Sequence, residues 1–265
     1  MPVLAILAGL FFPDKGVSPN AEDIFTLYVL IFAMALVVFI GVQGSLIWFL
    51  FKFKARRGRV AAQIHGNTRL EIGWTIAAGV IVIALTVVAF ASLPGIQNPQ
   101  KSGAEVSLAG AQVASINPPK VPGGRQLDIA VNGQQYVWRY TYPDGTYSYT
   151  EMVVPANQTV VLKITGQDVA HSWWIPKLGG KFDAIPGYNN YTWFKASKVG
   201  AVYRGQCAEL CGRNHANMLA DVRVVTPTAF KAWLASKKAQ INAANKASAA
   251  AAPLLSPLPA RPGKP

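Results

Sequence analysis

The stretch Ile24–Phe51 reads IFTLYVLIFAMALVVFIGVQGSLIWFLF and contains no charged residue. A second apolar stretch, Ile72–Leu93, follows it and is bounded by Glu71 and Pro94. Each stretch has about 20 residues or more, which is enough for a helix to cross a hydrocarbon core about 30 Å thick. The sequence therefore predicts a two-helix transmembrane hairpin over residues 24–94, with spans at 24–51 and 72–93.

The segment between the two stretches is basic and sets the predicted orientation. Loops rich in Lys and Arg stay on the cytoplasmic side of a membrane. Both termini and everything after the second span are therefore predicted on the periplasmic or outer face of a bacterial-type inner membrane. The cations of the loop are Lys52, Lys54, Arg56, Arg57, Arg59 and Arg69.

Residues 1–23 precede the hairpin and contain the short apolar stretch Val3–Phe12. This stretch is too short to span a membrane, and it lacks the positive flank and small-residue cleavage site of a signal peptide. We therefore expect an N-terminal interfacial segment, and a cleaved leader is the alternative.

The chain after the second span changes in composition. Residues 95–124 are rich in Pro, Gly, Ser, Asn and Gln, which is typical of a linker. Over residues 125–235, apolar and polar residues alternate in short runs separated by Pro-Asp-Gly, Pro-Ala-Asn and Pro-Gly turns. This period of two predicts an antiparallel β-sandwich or barrel. The runs are Leu127–Val131, Val160–Ile164 and Ala220–Val224.

One short helix is predicted to close this domain. Thr226 is placed to cap it, Pro227 suits its first position, and three apolar residues form a stripe. Residues 236–265 consist largely of Ala, Lys, Asn and Pro, and this composition predicts a disordered basic tail. The apolar stripe contains Phe230, Trp233 and Leu234.

The most informative motif is Cys207-Ala-Glu-Leu-Cys211-Gly-Arg-Asn-His215-Ala-Asn-Met218. Thiolate and thioether sulfur together with imidazole nitrogen form the ligand set of copper sites that transfer electrons. His171, one of three histidines in the chain, follows a predicted strand and offers a second imidazole. The alternative is a disulfide between the two cysteines, because the domain is placed in an oxidising compartment. A disulfide would leave the histidines and the methionine without a role.

The motif resembles the dinuclear copper A motif of cytochrome c oxidase subunit II, Cys-x-Glu-x-Cys-x-x-x-His-x-x-Met. Three other segments are also similar to that family: His-Ser-Trp at His171, Lys-x-Asp-Ala-Ile-Pro-Gly at Lys181–Gly187, and Gly-Gln-Cys at Gly205. The resemblance covers roughly residues 24–235. It implies that the hairpin is followed by an all-β, cupredoxin-like Greek-key barrel.

The resemblance also implies a set of metal ligands. Cys207 and Cys211 would bridge two copper ions, and His171 and His215 would each bind one of them. The weak ligands would be the thioether of Met218 and the backbone carbonyl of Glu209. In the family, the Glu side chain at this position binds a magnesium ion shared with the catalytic subunit, which implies the same role for Glu209.

Three further residues match functional positions of the family. Glu71 matches an acidic residue at the cytoplasmic start of the second span, which implies a proton entrance; an interfacial anchor is the alternative. Tyr136 and Trp138 match the aromatic electron-entry segment, and packing between strands is the alternative for both. The family usually has two tryptophans there, so Tyr136 departs from the pattern.

As a whole, the resemblance implies the electron-accepting subunit of a respiratory haem-copper terminal oxidase. Electrons would pass from an external donor to the haem of catalytic subunit I, for oxygen reduction coupled to proton pumping. The oxygen-reducing site and the haems would belong to that partner, and subunit III is also expected. The bilayer is an expected partner and nucleic acid is not. The alternatives are a copper A subunit of a nitric oxide or nitrous oxide reductase, or a scaffolding subunit of a quinol oxidase.

The charge of the chain is strongly positive. The formal net charge is +13 at pH 7, and from Gly95 onward there are 18 Lys or Arg against 8 Asp or Glu. Family members that receive electrons from basic cytochrome c generally carry acidic docking surfaces. A basic external domain would instead favour an acidic or neutral donor. Adaptation to an acidic exterior is the alternative explanation.

Overall fold

The structure is a computed structural model and describes residues 12–13, 15–54, 58, 60, 63–101, 121–123 and 126–251. Several predictions concern residues outside these ranges: the N-terminal apolar stretch Val3–Phe12 except for its last residue, Arg56, Arg57 and Arg59 of the basic loop, most of the linker, and the tail beyond Ala251. The chain divides into two compact units, Met1–Asn98 and Pro99–Pro265.

The first unit contains two long helices that contact each other, α1 (Pro19–Lys52) and α2 (Thr68–Gln97). They have 34 and 30 residues, and both are long and apolar enough to cross a membrane. Each helix extends beyond the predicted span. In particular, α2 continues for one turn past the predicted boundary at Pro94, because the carbonyl of this proline still accepts a hydrogen bond from the backbone N–H of Asn98, at 3.0 Å.

The second unit is a β-sandwich of two five-stranded sheets. The strand order is β3-β2-β1-β5-β8 in the first sheet and β4-β10-β9-β6-β7 in the second. The three predicted strand runs are confirmed as β1, β5 and β10. The strands are β1 (Leu127–Gln134), β2 (Val137–Thr141), β3 (Tyr147–Tyr149), β4 (Glu151–Pro155), β5 (Thr159–Gly166), β6 (His171–Trp174), β7 (Phe182–Ala184), β8 (Asn190–Lys195), β9 (Val202–Cys207) and β10 (Leu219–Val225).

The predicted antiparallel arrangement is wrong for two of the strand pairs. β1 pairs with β5 in parallel, with Ile129 opposite Leu162, and β4 pairs with β10 in parallel, with Val153 opposite Arg223. The period of two shows that one face of a strand is buried, but it carries no information about the direction of the neighbouring strand. Parallel pairs also require a connection longer than a hairpin turn. The chain supplies such connections by crossing between the sheets.

The core of the second unit lies between the two sheets. It contains residues from both, including Trp138, Tyr140 and Leu162 of the first sheet and Met152 and Val222 of the second. All five side chains are fully buried. Burial of this apolar surface is the main source of stability for the sandwich and fixes the strand ends that carry the candidate site.

Strands β6 and β9, which carry candidate ligands, approach each other closely at Gly205 in β9. A Cβ atom at this position would lie 1.9 Å from the backbone carbonyl oxygen of Trp174 in β6. Only glycine fits there. As a result β6 and β9 pair closely, with Trp173 opposite Cys207.

The C-terminal helix α3 (Pro227–Ala251) begins as the sequence predicts but ends later. The hydroxyl of Thr226 accepts a hydrogen bond from the backbone N–H of Ala229 at 3.2 Å, which caps the first turn. The predicted disordered tail from residue 236 is wrong as far as Ala251, where the helix continues. The segment is rich in Ala and Lys, which favour helices even without a large apolar face. Lys238 in this extension also forms an ion pair with Asp144, with Nζ 3.8 Å from Oδ2.

Candidate metal centre

The ends of strands β6 and β9 bring the candidate ligands together. His171 is the first residue of β6, and Cys207 is the last residue of β9. The backbone N–H of Cys207 donates to the carbonyl of Met218 at 2.9 Å, which closes the segment between them into a loop. Within this loop, a 3-10 turn at His215–Asn217 directs the chain back toward β10.

The donor atoms of all six predicted ligands lie close together. The Sγ atom of Cys207 is 3.9 Å from Nδ1 of His171, 3.9 Å from Sγ of Cys211 and 3.2 Å from the carbonyl oxygen of Glu209. The Sγ atom of Cys211 is 3.5 Å from Nδ1 of His215 and 3.9 Å from Sδ of Met218. The ligand atoms of His171, Cys207 and Cys211 all lie within 4.8 Å of one another.

The cluster is buried, and its two cysteines form no disulfide. His171, Cys207, Cys211 and Met218 are buried, and His215 is half-buried. Both cysteines are free thiols, and a disulfide would require their sulfur atoms to be about 2 Å apart. The disulfide alternative is therefore not the arrangement found in the structure.

The chemistry of this donor set fits copper. It offers two thiols, one thioether, two imidazole nitrogens and one backbone carbonyl in a space from which water is largely excluded. Soft sulfur ligands with imidazole favour copper, whereas calcium and magnesium require mainly oxygen ligands. The two thiol sulfur atoms, 3.9 Å apart, are close enough to bind the same metal ion.

Asp168 orients the ring of His171, a role that the sequence did not indicate. Its Oδ1 atom is 2.8 Å from Nε2 of His171. With Nε2 protonated, Nδ1 is left free on the side that faces Cys207, as in metal sites where a carboxylate fixes a histidine ligand. The only signal in the sequence was an acid three residues before a candidate ligand.

The surroundings of Asp168 stabilise its charged form. Burial acts to raise the pKa of its carboxyl group, but this effect is outweighed by hydrogen bonds. The backbone N–H of Gln135, the ring of His171 and the backbone N–H of Val169 together lower the pKa below its ordinary value. Asp168 therefore remains a carboxylate and a hydrogen-bond acceptor for His171.

The environment of Cys211 favours its neutral thiol when no metal is bound. Burial, followed by the nearby thiol of Cys207, raises the pKa of Cys211 to about 11. A metal ligand must be a thiolate, so a bound cation would have to displace this proton.

The two aromatic residues predicted for electron entry lie beside the cluster. Trp138 is fully buried, and its ring centroid is 5.9 Å from that of His171. Tyr136 is half-buried, and its hydroxyl lies beside Gly212, where an added Cβ would be 2.6 Å from the hydroxyl oxygen. Gly212 also has a φ of +132°, so two constraints require glycine there.

The side chains of two predicted residues are not among the buried donors. The side chain of Glu209 is exposed, although its carbonyl faces Cys207. Glu71 belongs to the other unit and lies in the first turn of α2, where its carboxylate accepts a hydrogen bond from the backbone N–H of Asn67 at 3.3 Å. Glu71 therefore helps to cap this helix.

Comparison with known proteins identifies relatives of both units. The family model for "Cytochrome C oxidase subunit II, transmembrane domain" matches residues 5–93, and the model for "Cytochrome C oxidase subunit II, periplasmic domain" matches residues 146–225. Together with the two apolar helices and the β-sandwich, these matches confirm the predicted fold class of a transmembrane hairpin followed by a cupredoxin-like domain.

Individual relatives agree with the family models. The chain is 32% identical over 262 residues to "Cytochrome c oxidase subunit 2" of Cereibacter sphaeroides, covering 83% of this chain and 78% of the relative. It is also 32% identical over 256 residues to "Probable cytochrome c oxidase subunit 2" of Rickettsia bellii, covering 88% of this chain and 86% of the relative.

Among solved structures, the chain is similar to the periplasmic domain of subunit II of cytochrome oxidase (CoxB) of Bradyrhizobium japonicum. The identity is 38% and the TM-score is 0.42, and the match covers 44% of this chain and 96% of that chain.

The raised pKa of Cys211 predicts how the stability of the metal-free protein depends on pH. Above its ordinary pKa of 9.0 the thiol ionises in the unfolded chain, whereas in the folded chain it stays neutral up to about pH 11. Deprotonation then favours the unfolded chain, so stability should fall as the pH rises from 9 to about 11. Thermal unfolding of the metal-free chain across this range measures the effect.

The matched control for this experiment is Cys211→Ser, which has no group that ionises in this range. Its unfolding midpoint should fall less steeply with pH than that of the wild-type chain. Equal slopes for the two proteins would contradict the assignment of the effect to the buried thiol.

Proposed function

The chain belongs to the cytochrome c oxidase subunit II family, and on that basis we propose that it is the electron-accepting subunit of a respiratory haem-copper terminal oxidase. It is a membrane subunit of an oxidoreductase complex. In this proposal it receives electrons from an external donor and delivers them to the haem of the catalytic subunit, where oxygen is reduced and protons are pumped. The observation that carries the proposal is the convergence of six donor groups on one buried site.

The proposed site would hold two copper ions. Cys207 and Cys211 would each contribute a thiolate to both ions, and His171 and His215 would each hold one ion through Nδ1. Met218 and the carbonyl of Glu209 would be the weak ligands. The distances from the two sulfur atoms to the other donors, all between 3.2 and 3.9 Å, support this assignment. When bound, the copper pair supplies a centre that accepts and releases one electron.

The protein contributes a rigid, dry environment for that centre. Four of the ligand residues are buried in the sandwich, so little water can reorganise around them when the charge changes. Asp168 keeps His171 in the orientation in which Nδ1 faces Cys207. Tyr136 and Trp138 form the proposed entry route, because one reaches the surface and the other contacts the ring of His171.

The proposed partners of the chain are other subunits of the oxidase. Catalytic subunit I, which holds the haems, and subunit III complete the oxidase in the lipid bilayer. The exposed carboxylate of Glu209 is a hard oxygen ligand that can bind a magnesium ion shared with subunit I. The basic residues between the two spans support an orientation with the copper domain and both termini on the periplasmic face.

Metal analysis of the purified full-length chain tests the copper site. We expect two copper ions per chain and an electron paramagnetic signal of one electron shared between them. Cys207→Ser or Cys211→Ser should abolish this signal, because both bridges are needed. Met218→Leu should keep the metal and shift its reduction potential, because only a weak ligand is lost.

A Cys207–Cys211 disulfide in fully active oxidase would contradict the copper assignment. So would an unchanged spectrum in either serine variant.

A second prediction concerns proton entry at Glu71. Glu71→Ala should slow turnover and proton uptake by the assembled oxidase and leave reduction of the copper centre by the donor intact. Glu71→Gln is the matched control, because its amide oxygen can still accept the N–H of Asn67 but cannot carry a proton. The glutamine variant should therefore be as slow as the alanine variant. Wild-type turnover in the glutamine variant would mean that Glu71 only caps the helix.

A third prediction concerns the electron donor. With 18 cationic and 8 anionic residues from Gly95 onward, the external domain should favour an acidic or neutral donor. Electron transfer from an acidic cytochrome should be fast at low salt and slow down as salt is added, since charges are screened over about 10 Å at 0.1 M. Stopped-flow kinetics with an acidic and a basic cytochrome measure this difference.

Two variants test which positive charge of the external domain affects electron transfer from the acidic donor. Arg213 is exposed and follows Gly212, which lies beside Tyr136, so Arg213→Gln should slow the acidic donor. Lys246→Gln, in the last part of α3, removes the same charge elsewhere and should have no effect. If the basic cytochrome is faster at low salt and loses rate as salt is added, the hypothesis is wrong.

A further inference from the structure

Gln135 lies in the turn between β1 and β2 and contacts the candidate metal centre in two places. Its side-chain Nε2 donates a hydrogen bond to the backbone carbonyl of Cys211 at 2.6 Å. Its backbone N–H donates to Oδ2 of Asp168 at 2.7 Å. One residue from the first sheet therefore connects two segments, 76 and 33 positions away in sequence, that both belong to the metal site.

Both contacts end on groups that determine the position of a ligand. The carbonyl of Cys211 belongs to the same residue as one of the two thiols. Asp168 uses its other carboxylate oxygen, Oδ1, to hold Nε2 of His171 at 2.8 Å. Gln135 thus restrains the position of Cys211 directly and that of His171 through the carboxylate of Asp168.

The loop that carries Cys211 needs such an anchor. Glu209, Leu210, Gly212 and Arg213 around it are exposed, whereas the thiol itself is buried. An exposed backbone exchanges its hydrogen bonds with water more easily than a buried one. A hydrogen bond from a neighbouring strand turn restricts the movement of this loop relative to His171.

We propose that Gln135 is a positioning residue that holds Cys211 and His171 in register and thereby sets the reduction potential of the metal centre. The inference rests on the proposed function, because it takes the centre to bind copper. The Nε2–H of Gln135 also points the positive end of its dipole at the carbonyl of Cys211, beside the centre. Loss of this bond removes that positive potential, which stabilises the more positive, oxidised centre and lowers its reduction potential.

The test uses the assembled, copper-loaded oxidase with Gln135→Met. Methionine has nearly the same length but no amide N–H, and the variant retains the backbone N–H that Asp168 accepts. The matched control is Gln134→Met, the same substitution one residue earlier, at the end of β1. Redox titration followed by electron paramagnetic resonance gives the potential and the spectrum of the copper centre, and metal analysis gives its occupancy.

We expect Gln135→Met to bind as much copper as the wild type and to unfold at the same temperature. Its electron paramagnetic spectrum should be broader, and the ratio of reduced to oxidised centre should shift toward oxidised. The shift should be about threefold to tenfold at the wild-type midpoint, as for one hydrogen bond of ordinary net strength. Gln134→Met should match the wild type. Indistinguishable potentials and spectra in the two variants would overturn the proposal.

A measurement on the metal-free chain separates this inference from the proposed function. Hydrogen exchange of the backbone amides over residues 209–214 should be faster in Gln135→Met than in Gln134→Met, whether or not the wild-type chain binds copper. Equal exchange in the two variants would overturn the positioning role. Failure of the wild-type chain to bind copper, with the exchange difference present, would instead overturn the proposed function.

Discussion

Strands β6 and β9 approach each other so closely at Gly205 that no side chain fits between that residue and the carbonyl of Trp174. This approach places Cys207, at the end of β9, opposite Trp173 and within 3.9 Å of His171. The rest of the site follows from that pairing. The loop after Cys207 returns to its start through the hydrogen bond with the carbonyl of Met218, which brings the remaining donors to the same point.

The site buries polar groups, and the groups around them offset the free-energy cost of that burial. The thiol of Cys211 stays neutral in these apolar surroundings, and its raised pKa reflects this. A cation among them would reverse the preference and make the thiolates the stable form. The one carboxylate that orients a ligand, Asp168, is at the edge of the site, where backbone N–H groups and partial contact with solvent keep it charged. The apolar sandwich thus supplies rigidity, and polar groups at its edge supply orientation.

The sequence was sufficient for the parts of the protein that depend on local patterns or on an extended motif. The apolar runs predicted both helices, and the alternating runs predicted β1, β5 and β10. The Cys-to-Met motif and His171, read through the family resemblance, named the donor groups that the structure brings together. Strand direction was not predictable, because β1 and β5 would show the same alternation in either direction. The roles of Asp168 and Gln135 were also hidden. Gln135 meets Cys211 across 76 positions, and nothing in the local sequence marks that contact.

The two parallel strand pairs have a consequence for the order of events during folding. β1 must wait for β5, and β4 must wait for β10. The first sheet therefore cannot be completed before β8 has been synthesised, and the second cannot be completed before β10. Pairings between distant segments form more slowly than local ones. His171 and Cys207 belong to different strands of the late-forming sheet, and a nascent chain offers its thiols and imidazoles only as separate, exposed groups. Under the proposed function, incorporation of the metal should accordingly follow folding of the second unit rather than accompany its synthesis, which makes delivery of the metal a task for the compartment in which the finished domain resides.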